Sequence, residues 1–350
     1  MKTYDIVIAG GGVAGMQAAL TASENGLSCV ILESDKLLGG KVAHKYSLFP
    51  TFASADEFIE RMTAMVNEKN EDMLEVSLNS TVLSIDKDQS TVTYEYKPGN
   101  SKPIINTVRG KAIIIATGYS FFDATLKQEY GYQVYDNVLT SFELEEKFKT
   151  GEILTADGRK PESIAFIHCV GSRDSKVGNE HCSRVCCVTG VKQAIELCKM
   201  MSGIRIFNFY MDMRMFGIGY EEMYKSAQED YQVRFIRGRV SELSQSIDKR
   251  VRLKAEDTLI ARPIAITVDM VVLLVGMCGA KSNEKFANDA TLTVRENGFL
   301  RPINAFDGAT CSGVENIFYA GSIESPKNIS ESINHATMAV MSARKYINSL

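Results

Sequence analysis

Residues 4–33, YDIVIAGGGVAGMQAALTASENGLSCVILE, decide the fold. Residues 4–9 (YDIVIA) are a short apolar run of the kind that forms a buried strand, and 28–33 (SCVILE) are a second. Between them the turn GGGVAG leads into a helical pattern over 14–25. Gly10, Gly12 and Gly15 complete the spacing G-x-G-x-x-G. The first glycine permits a tight turn, the second lets the backbone approach a pyrophosphate, and the third lets the helix pack closely on the strand. Phosphates placed there face free amides at a helix N-terminus. Glu33 ends the second strand, where a carboxylate binds a ribose hydroxyl and disfavours a 2′-phosphate. Strand, turn, helix, strand and acid in this order open a doubly wound dinucleotide-binding domain.

Downstream, a helix is expected over 54–67, short antiparallel segments over 75–86 and 91–96, and a strand over 111–116 that returns to the main sheet. A second alternation begins near residue 162. Its expected strands are 163–168, 204–210 and 233–237, and its expected helices 188–201 and 220–229. The first of these strands exits into CVGSRD, without a glycine fingerprint. Residues 270–275 read as a strand returning to the first unit, 315–321 as a final strand, and 330–346 as a C-terminal helix. The fold class is therefore α/β, with two dinucleotide-binding, Rossmann-like domains and the second inserted into the first. The expected boundaries are 1–158 and 274–350 for the first domain and 159–273 for the second.

The bulk composition narrows the function classes. The 350 residues are 45% hydrophobic and 23% charged, as in an ordinary globular protein, with a net charge of -4 that offers no footprint for nucleic acid. No charge-free apolar run approaches the ~18 residues of a spanning helix, so no membrane insertion is expected. The N-terminus starts directly with a strand and lacks a signal-peptide pattern. A cytoplasmic location, with reduced thiols, is the expectation.

Four of the 8 cysteines, Cys169, Cys182, Cys186 and Cys187, crowd into HCVGSRDSKVGNEHCSRVCCVTGVKQA. The spacing C-x12-C-x3-C-C is neither a zinc-finger spacing nor a C-x-x-C dithiol. Four thiolates are the ligand set of a [4Fe–4S] cluster. The competing readings are buried free cysteines or a vicinal disulfide between Cys186 and Cys187. His168 and His181 flank ligand candidates, either as donors to a sulfide or as plain loop and strand histidines. Cys29, Cys198, Cys278 and Cys311 read as scattered core or loop thiols.

A second Gly-Gly pair at Gly39 and Gly40, the triplet Ala116, Thr117 and Gly118, and a late strand ending at Gly321 resemble the two-dinucleotide-binding flavoprotein superfamily that includes thioredoxin reductase. The resemblance implies FAD rather than NAD at the first fingerprint, and places Val13, Ala14, Lys41, Val82, Pro326, Lys327 and Ile329 around it. It also implies that the final helix points its N-terminus at the flavin ring.

The phrases ATGYSFFD, NVLTSFELE, IAFIHCVGSRD, HCSRVCC, FYMDMRMFGIGYEEMY, VRFIRGR and SPKNISESINHA resemble a narrower family, the flavin-bearing A-type subunits of heterodisulfide reductase and their relatives. That resemblance implies a [4Fe–4S] cluster on Cys169, Cys182, Cys186 and Cys187 beside the FAD, and Lys192 near the flavin N5, where it would tune the flavin. The chain lacks the ferredoxin-type cysteine motifs of the larger methanogen subunit, so wiring to further clusters is expected on other proteins. The compact form is most similar to the short A-type subunit of the soluble heterodisulfide-reductase-like complex of sulfur oxidation. The implied partners are B- and C-type subunits and a second copy of the chain in a homodimer. The alternatives are a flavin subunit of a quinone-interacting membrane-bound oxidoreductase and a stand-alone NAD(P)H-dependent disulfide reductase. Whether the second domain takes NAD is left open by its sequence.

Overall fold

The computed structural model describes residues 1–70, 72–99 and 101–350. The chain divides into two compact units, one of Met1–Ala43, Ala55–Ser120 and Cys278–Leu350, the other of His44–Ser54 and Phe121–Met277.

In the first unit, Thr3–Ala9 lies between Cys29–Leu32 and Ile104–Ile115 and parallel to both. Leu74–Ser77 extends the sheet beyond Cys29–Leu32, and Ile317–Tyr319 pairs in parallel with the end of Ile104–Ile115. Ile6, Val7, Ile8 and Ala9 are wholly buried, as befits a strand covered on both faces. The chain steps outward from Thr3–Ala9 on one side and then returns on the other with Ile104–Ile115. The strand order thus reverses at the C-terminal end of Thr3–Ala9, where open α/β sheets bind their ligands. Helices Val13–Glu24 and Ile329–Ile347 meet through Ala18, Ala19 and Ala22 on one and Ala336, Ala339 and Ala343 on the other, all fully buried. Ile104–Ile115 is longer than expected: its first half pairs antiparallel with Thr91–Tyr96, which pairs in turn with Ser80–Asp86. Only its continuously buried end was legible as a strand.

The second unit holds a parallel sheet in the order Val138–Thr140, Met270–Val275, Ser163–Val170, Arg205–Tyr210 and Arg234–Arg237. Helices Cys186–Met200 and Tyr220–Glu229 connect its later strands. Here too the order reverses, between Ser163–Val170 and Met270–Val275. An antiparallel sheet of Val240–Gln245, Val251–Asp257 and Arg262–Val268 follows.

Three features differ from the sequence reading. Met270–Val275 does not return to the first unit; it pairs with Val138–Thr140 and Ser163–Val170. The second unit consequently begins at Phe121 rather than 159, because Val138–Thr140 and helix Ser141–Thr150 belong to it. It also takes His44–Ser54, a segment expected to lie in the first domain. Among the described residues, no helix is long and apolar enough to cross a membrane.

Candidate functional site

The glycine turn of the first unit is shaped by what is missing from it. Gly10 has φ 107°, and a Cβ there would meet the Ala116 carbonyl oxygen at 2.6 Å. A Cβ on Gly15 would lie 1.8 Å from the Gly10 oxygen. These two glycines are required by the protein itself. Gly12 is different: among the described residues a Cβ there meets nothing nearer than the Gly40 Cα at 4.0 Å. The space in front of Gly12 is therefore left open for something other than protein. Gly12 is the N-cap of Val13–Glu24, with no capping side chain among the described residues and no acid in the first turn. That N-terminus keeps its amides and its partial positive charge for an anion.

The surrounding residues complete the same site. The Glu33 carboxylate accepts from the Gly11 N–H at 2.5 Å, from Ser34 Oγ at 3.0 Å and from the Asp35 N–H at 2.8 Å. It is held rigidly at the strand end. Gly39 donates its N–H to the Gly11 oxygen at 2.9 Å, tying the second glycine pair to the first loop. Lys41 stacks on the Tyr119 ring at 5.0 Å, and burial lowers its pKa against the pull of Asp35 and Glu33. The Thr117 hydroxyl is buried and has no partner among the described residues. Gly321, with φ 72°, admits the close approach of Ala14, whose Cβ would lie 2.6 Å from a Cβ at 321. Val82 lies in Ser80–Asp86 and packs on the core of this unit.

The final helix departs from expectation at its N-terminus. Asn328 caps the Glu331 N–H at 2.8 Å, and Glu331 accepts in return from the Asn328 N–H at 2.9 Å. The carboxylate offsets part of the positive end that was expected to face a flavin. Lys327 pairs with Glu324 and donates to Ser325 Oγ at 2.8 Å. Ile329 opens the helix and packs on the core, with Pro326 just before the cap.

In the second unit the four cysteines come from three places. Cys169 sits near the end of Ser163–Val170, at a register irregularity between Ile167 and Val170, with φ 59°. Cys186 and Cys187 are the first residues of the helix Cys186–Met200, whose first turn carries no acid. Cys182 lies in the loop between and accepts the Arg184 N–H at 3.3 Å. That loop is stapled by Ser172 and Ser183, whose hydroxyls meet at 3.0 Å, and by Met277, whose N–H donates to Ser183 Oγ at 2.8 Å.

All 8 cysteines are free thiols, so the vicinal disulfide does not form. Cys186 hydrogen-bonds both Cys169 and Cys187. These bonds hold the Cys186 thiol well above its usual range and bring Cys187 down to about 4 and Cys169 down to about 7; His168 adds to both. The group is thus built to carry negative charge on sulfur. Its donor chemistry fits an iron–sulfur cluster. The placement is closer than such a group needs: three thiols touch one another, and among the described residues no set of three or more His, Cys, Asp or Glu is arranged to hold a metal ion. His168 Nε2 bonds Asn208 Oδ1 at 2.9 Å, and His181 Nε2 lies 2.7 Å from the Met277 carbonyl oxygen.

Known proteins share this architecture. Residues 4–343 match the family described as pyridine nucleotide-disulphide oxidoreductase.

The chain belongs to that family.

Membership makes it an oxidoreductase and implies FAD as the family's cofactor. Among relatives, it is 31% identical over 413 residues to the iron-sulfur A-type subunit of CoB--CoM heterodisulfide reductase from Methanocaldococcus jannaschii, covering 94% of this chain and 62% of that one. It is 38% identical over 237 residues to the A-type subunit of the H(2):CoB-CoM heterodisulfide,ferredoxin reductase of Methanothermobacter thermautotrophicus, covering 66% of this chain and 36% of that one. The chain thus spans less than two thirds of these relatives. The fold is similar to that of thioredoxin reductase from T. acidophilum, with a TM-score of 0.66, 17% identity and coverage of 100% and 99%. It is also similar to that of the Lactococcus lactis thioredoxin reductase, with a TM-score of 0.68, 18% identity and coverage of 99% and 100%.

In this oxidoreductase Lys192 is the site residue whose surroundings depart most from expectation. Its ammonium is buried and donates to Glu145 Oε1 at 2.8 Å, Glu145 Oε2 at 3.0 Å and the Ser47 carbonyl at 3.0 Å, with Glu196 at 3.4 Å. Lys45 approaches Glu145 at 3.9 Å, and Ser47 Oγ bonds Glu196. Burial works to raise the Glu145 pKa, but Lys45 and Lys192 hold it below the usual range, while burial raises that of Glu196. Lys192 is therefore spent on protein acceptors, and a bond to a flavin nitrogen requires exchanging one of them.

The sequence reading did not foresee Glu145, Glu196 and Asn208. The first could have been suspected: Thr140 and Glu143 form a capping box that announces its helix. Glu196 stands four residues after Lys192, an i,i+4 pair on one helix face, whereas its partner Ser47 and the His168 partner of Asn208 lie far along the chain.

Proposed function

We propose that the chain binds one FAD at the glycine turn and one [4Fe–4S] cluster on Cys169, Cys182, Cys186 and Cys187, and that it is the electron-transferring subunit of a heterodisulfide-reductase-like complex. Partner subunits of B and C type would carry the sulfur or thiol chemistry, and the chain would pair with a second copy. One observation supports this reading: the bonded thiols of Cys169, Cys186 and Cys187 gather at the strand-order reversal of the second unit, with Cys182 in the loop between them, a place where its sheet has no glycine fingerprint. When bound, FAD exchanges electron pairs and the cluster single electrons, so together they divide a pair into single steps.

The chain's own residues provide the holding. The amides after Gly12 and the open space before it receive the pyrophosphate, Glu33 is fixed for a ribose hydroxyl, and the Thr117 hydroxyl awaits an acceptor or donor from the ligand. Around the thiols, the bonds from Cys186 favour thiolate on Cys187 and Cys169, and Asn208 fixes the His168 ring.

The test is cofactor content of anaerobically prepared protein. One FAD and about four irons per chain are expected. Gly12→Asp is expected to weaken FAD binding by about a hundredfold or more, by placing a carboxylate against phosphate, with the fold intact. A folded Gly12→Asp protein with full flavin, or a wild type without iron, overturns the corresponding half of the assignment.

A further inference from the structure

We propose that Arg173 donates a charge-assisted hydrogen bond from Nη1 to a sulfur of the centre held on the four cysteines and so favours its reduced form; this rests on reading those thiols as the ligands of an iron–sulfur cluster. The observation is an unused donor. Arg173 Nη2 donates to Asp212 Oδ2 at 2.7 Å, whereas Nη1 is buried and has no acceptor among the described residues. A guanidinium that serves only a surface ion pair turns its spare N–H groups to water. A donor held away from water without an acceptor is costly, so this place is short of one acceptor.

The chain brings this side chain to the thiols from two directions. Arg173 follows Cys169 by four residues, and its N–H donates at 3.0 Å to the carbonyl oxygen of His181, the residue before Cys182. Its carboxylate partner belongs to Asp212, whose own carbonyl oxygen lies 3.7 Å from the Cys187 sulfur. Both chain neighbours are pinned. The Ser172 hydroxyl donates to the same His181 oxygen at 2.9 Å, and the Asp174 carboxylate accepts from Lys127 at 2.8 Å and Arg239 at 2.6 Å. Between these anchors Arg173 takes φ 55°, in the left-handed region that disfavours a residue with a Cβ. Strain of this kind persists only where the surroundings over-determine it, and it gathers at functional sites.

Charge gives the sign of the effect. An electron added to a thiolate-ligated centre adds negative charge, and a guanidinium that donates to sulfur stabilises the form with more of it. Burial works to lower the Arg173 pKa, but Asp212, Cys169 and Cys182 hold it above the usual range, so the side chain stays charged. The Asp212 carboxylate acts in the opposite sense, and Arg237, 3.6 Å from it, offsets part of that. Arg173 and Asp212 therefore push the same couple in opposite directions while bonded to each other.

The experiment is an EPR-monitored redox titration of the anaerobically prepared full chain. Dithionite, oxidised to sulfite, supplies one electron per centre through mediator dyes, and no bond or proton is exchanged at the centre. Arg173→Met removes the donor and its charge and leaves Asp212 its contact with Arg237. It is expected to keep about four irons and its FAD, and to shift the couple towards the oxidised form by about tenfold, a fall of about 59 mV for one electron. Arg173→Lys keeps the charge and is expected to recover part of that fall. Asp212→Asn separates tuning from mere anchoring of the loop. Tuning predicts a rise in potential, because a negative charge is lost while Arg173 stays; anchoring predicts a fall, as in Arg173→Met. Four irons at an unchanged potential in Arg173→Met overturn the proposal, and so does a fall or no change in Asp212→Asn. If Arg173→Met sheds its iron, Asp212→Asn decides by the same signs. A wild type that holds no iron removes the cluster reading and the proposal with it, whereas iron held at an unshifted potential defeats the proposal alone.

Discussion

The turn after Thr3–Ala9 and the loop after Ser163–Val170 occupy equivalent places in two sheets. Each follows a strand at which the strand order reverses, and each enters a helix whose first turn lacks an acid. The first loop is three residues, all glycine, and leaves room where a side chain would stand. The second runs from 171 to 185, puts Arg173 and Arg184 at positive φ, and gathers thiols instead of glycines. One topological niche thus serves two chemistries, set by whether its side chains are cleared or supplied. Clearing relies on backbone amides; supplying requires a longer loop that holds strained residues at about 1–2 kcal/mol each.

The cleared niche is most vulnerable at Gly15. A Cβ 1.8 Å from the Gly10 oxygen cannot be absorbed by a side-chain movement, so Gly15→Val is expected to cost more than about 4 kcal/mol and to abolish FAD binding. Urea unfolding with flavin fluorescence reads both. A stable, flavin-loaded variant would remove the steric basis of the turn.

In the supplied niche, Cys186→Ala removes the thiol that joins Cys169 to Cys187. Iron is expected to fall from about four per chain to below one, while FAD stays bound. Iron retained in all four single alanine variants would falsify the ligand assignment.

A third outcome separates the units by pH. Burial brings His335, in the last helix of the first unit, down to about 4 from 6.5, and nearby Lys327 adds to this; its Nε2 lies 3.2 Å from the Ala309 oxygen. Above 6.5 the ring is neutral whether folded or unfolded. Between 6.5 and about 4 only the unfolded chain takes the proton, so stability falls as pH falls, by about 1.4 kcal/mol per unit and about 3 kcal/mol in all. His335→Gln is expected to flatten that slope between pH 7 and 4.5, measured by urea unfolding. An unchanged slope assigns the acid sensitivity to other groups.

The smallest effect is at Thr117. Thr117→Val removes a buried hydroxyl without a partner among the described residues, so the ligand-free protein is expected to gain about 1 kcal/mol. FAD affinity should drop about tenfold if the hydroxyl serves the ligand. Unchanged affinity would leave that hydroxyl as strain alone.

What could be read beforehand follows from where each signal lies. Gly10 and Gly15 were legible because backbone sterics leave no alternative, and Tyr220–Glu229 because its apolar period is local. The cysteines were legible as a set by density. Met270–Val275 was legible as a strand but not as to its sheet, since a run buried on both faces carries no facing information. Val138–Thr140 is only three residues long. Of the strands over 240–268, Val251–Asp257 alternates buried apolar positions with exposed Arg252, Lys254 and Glu256, and these charges hid the apolar signal. Lys192 was placed by resemblance, while its real partners come from residues 47 and 145, which no local pattern reveals.

Those partners also set a schedule. Ser47 and Tyr46, whose N–H donates to Glu145, leave the ribosome long before the helix that carries Lys192, 145 positions after Ser47. At about 5–20 residues per second that gap lasts roughly 7–30 s. Throughout it, Phe49 and Phe52, which finish packed on the second unit's core, have no core to join. The excursion at His44–Ser54 therefore makes the nascent chain wait with an apolar segment uncovered, a demand on chaperones that a contiguous domain order would not impose.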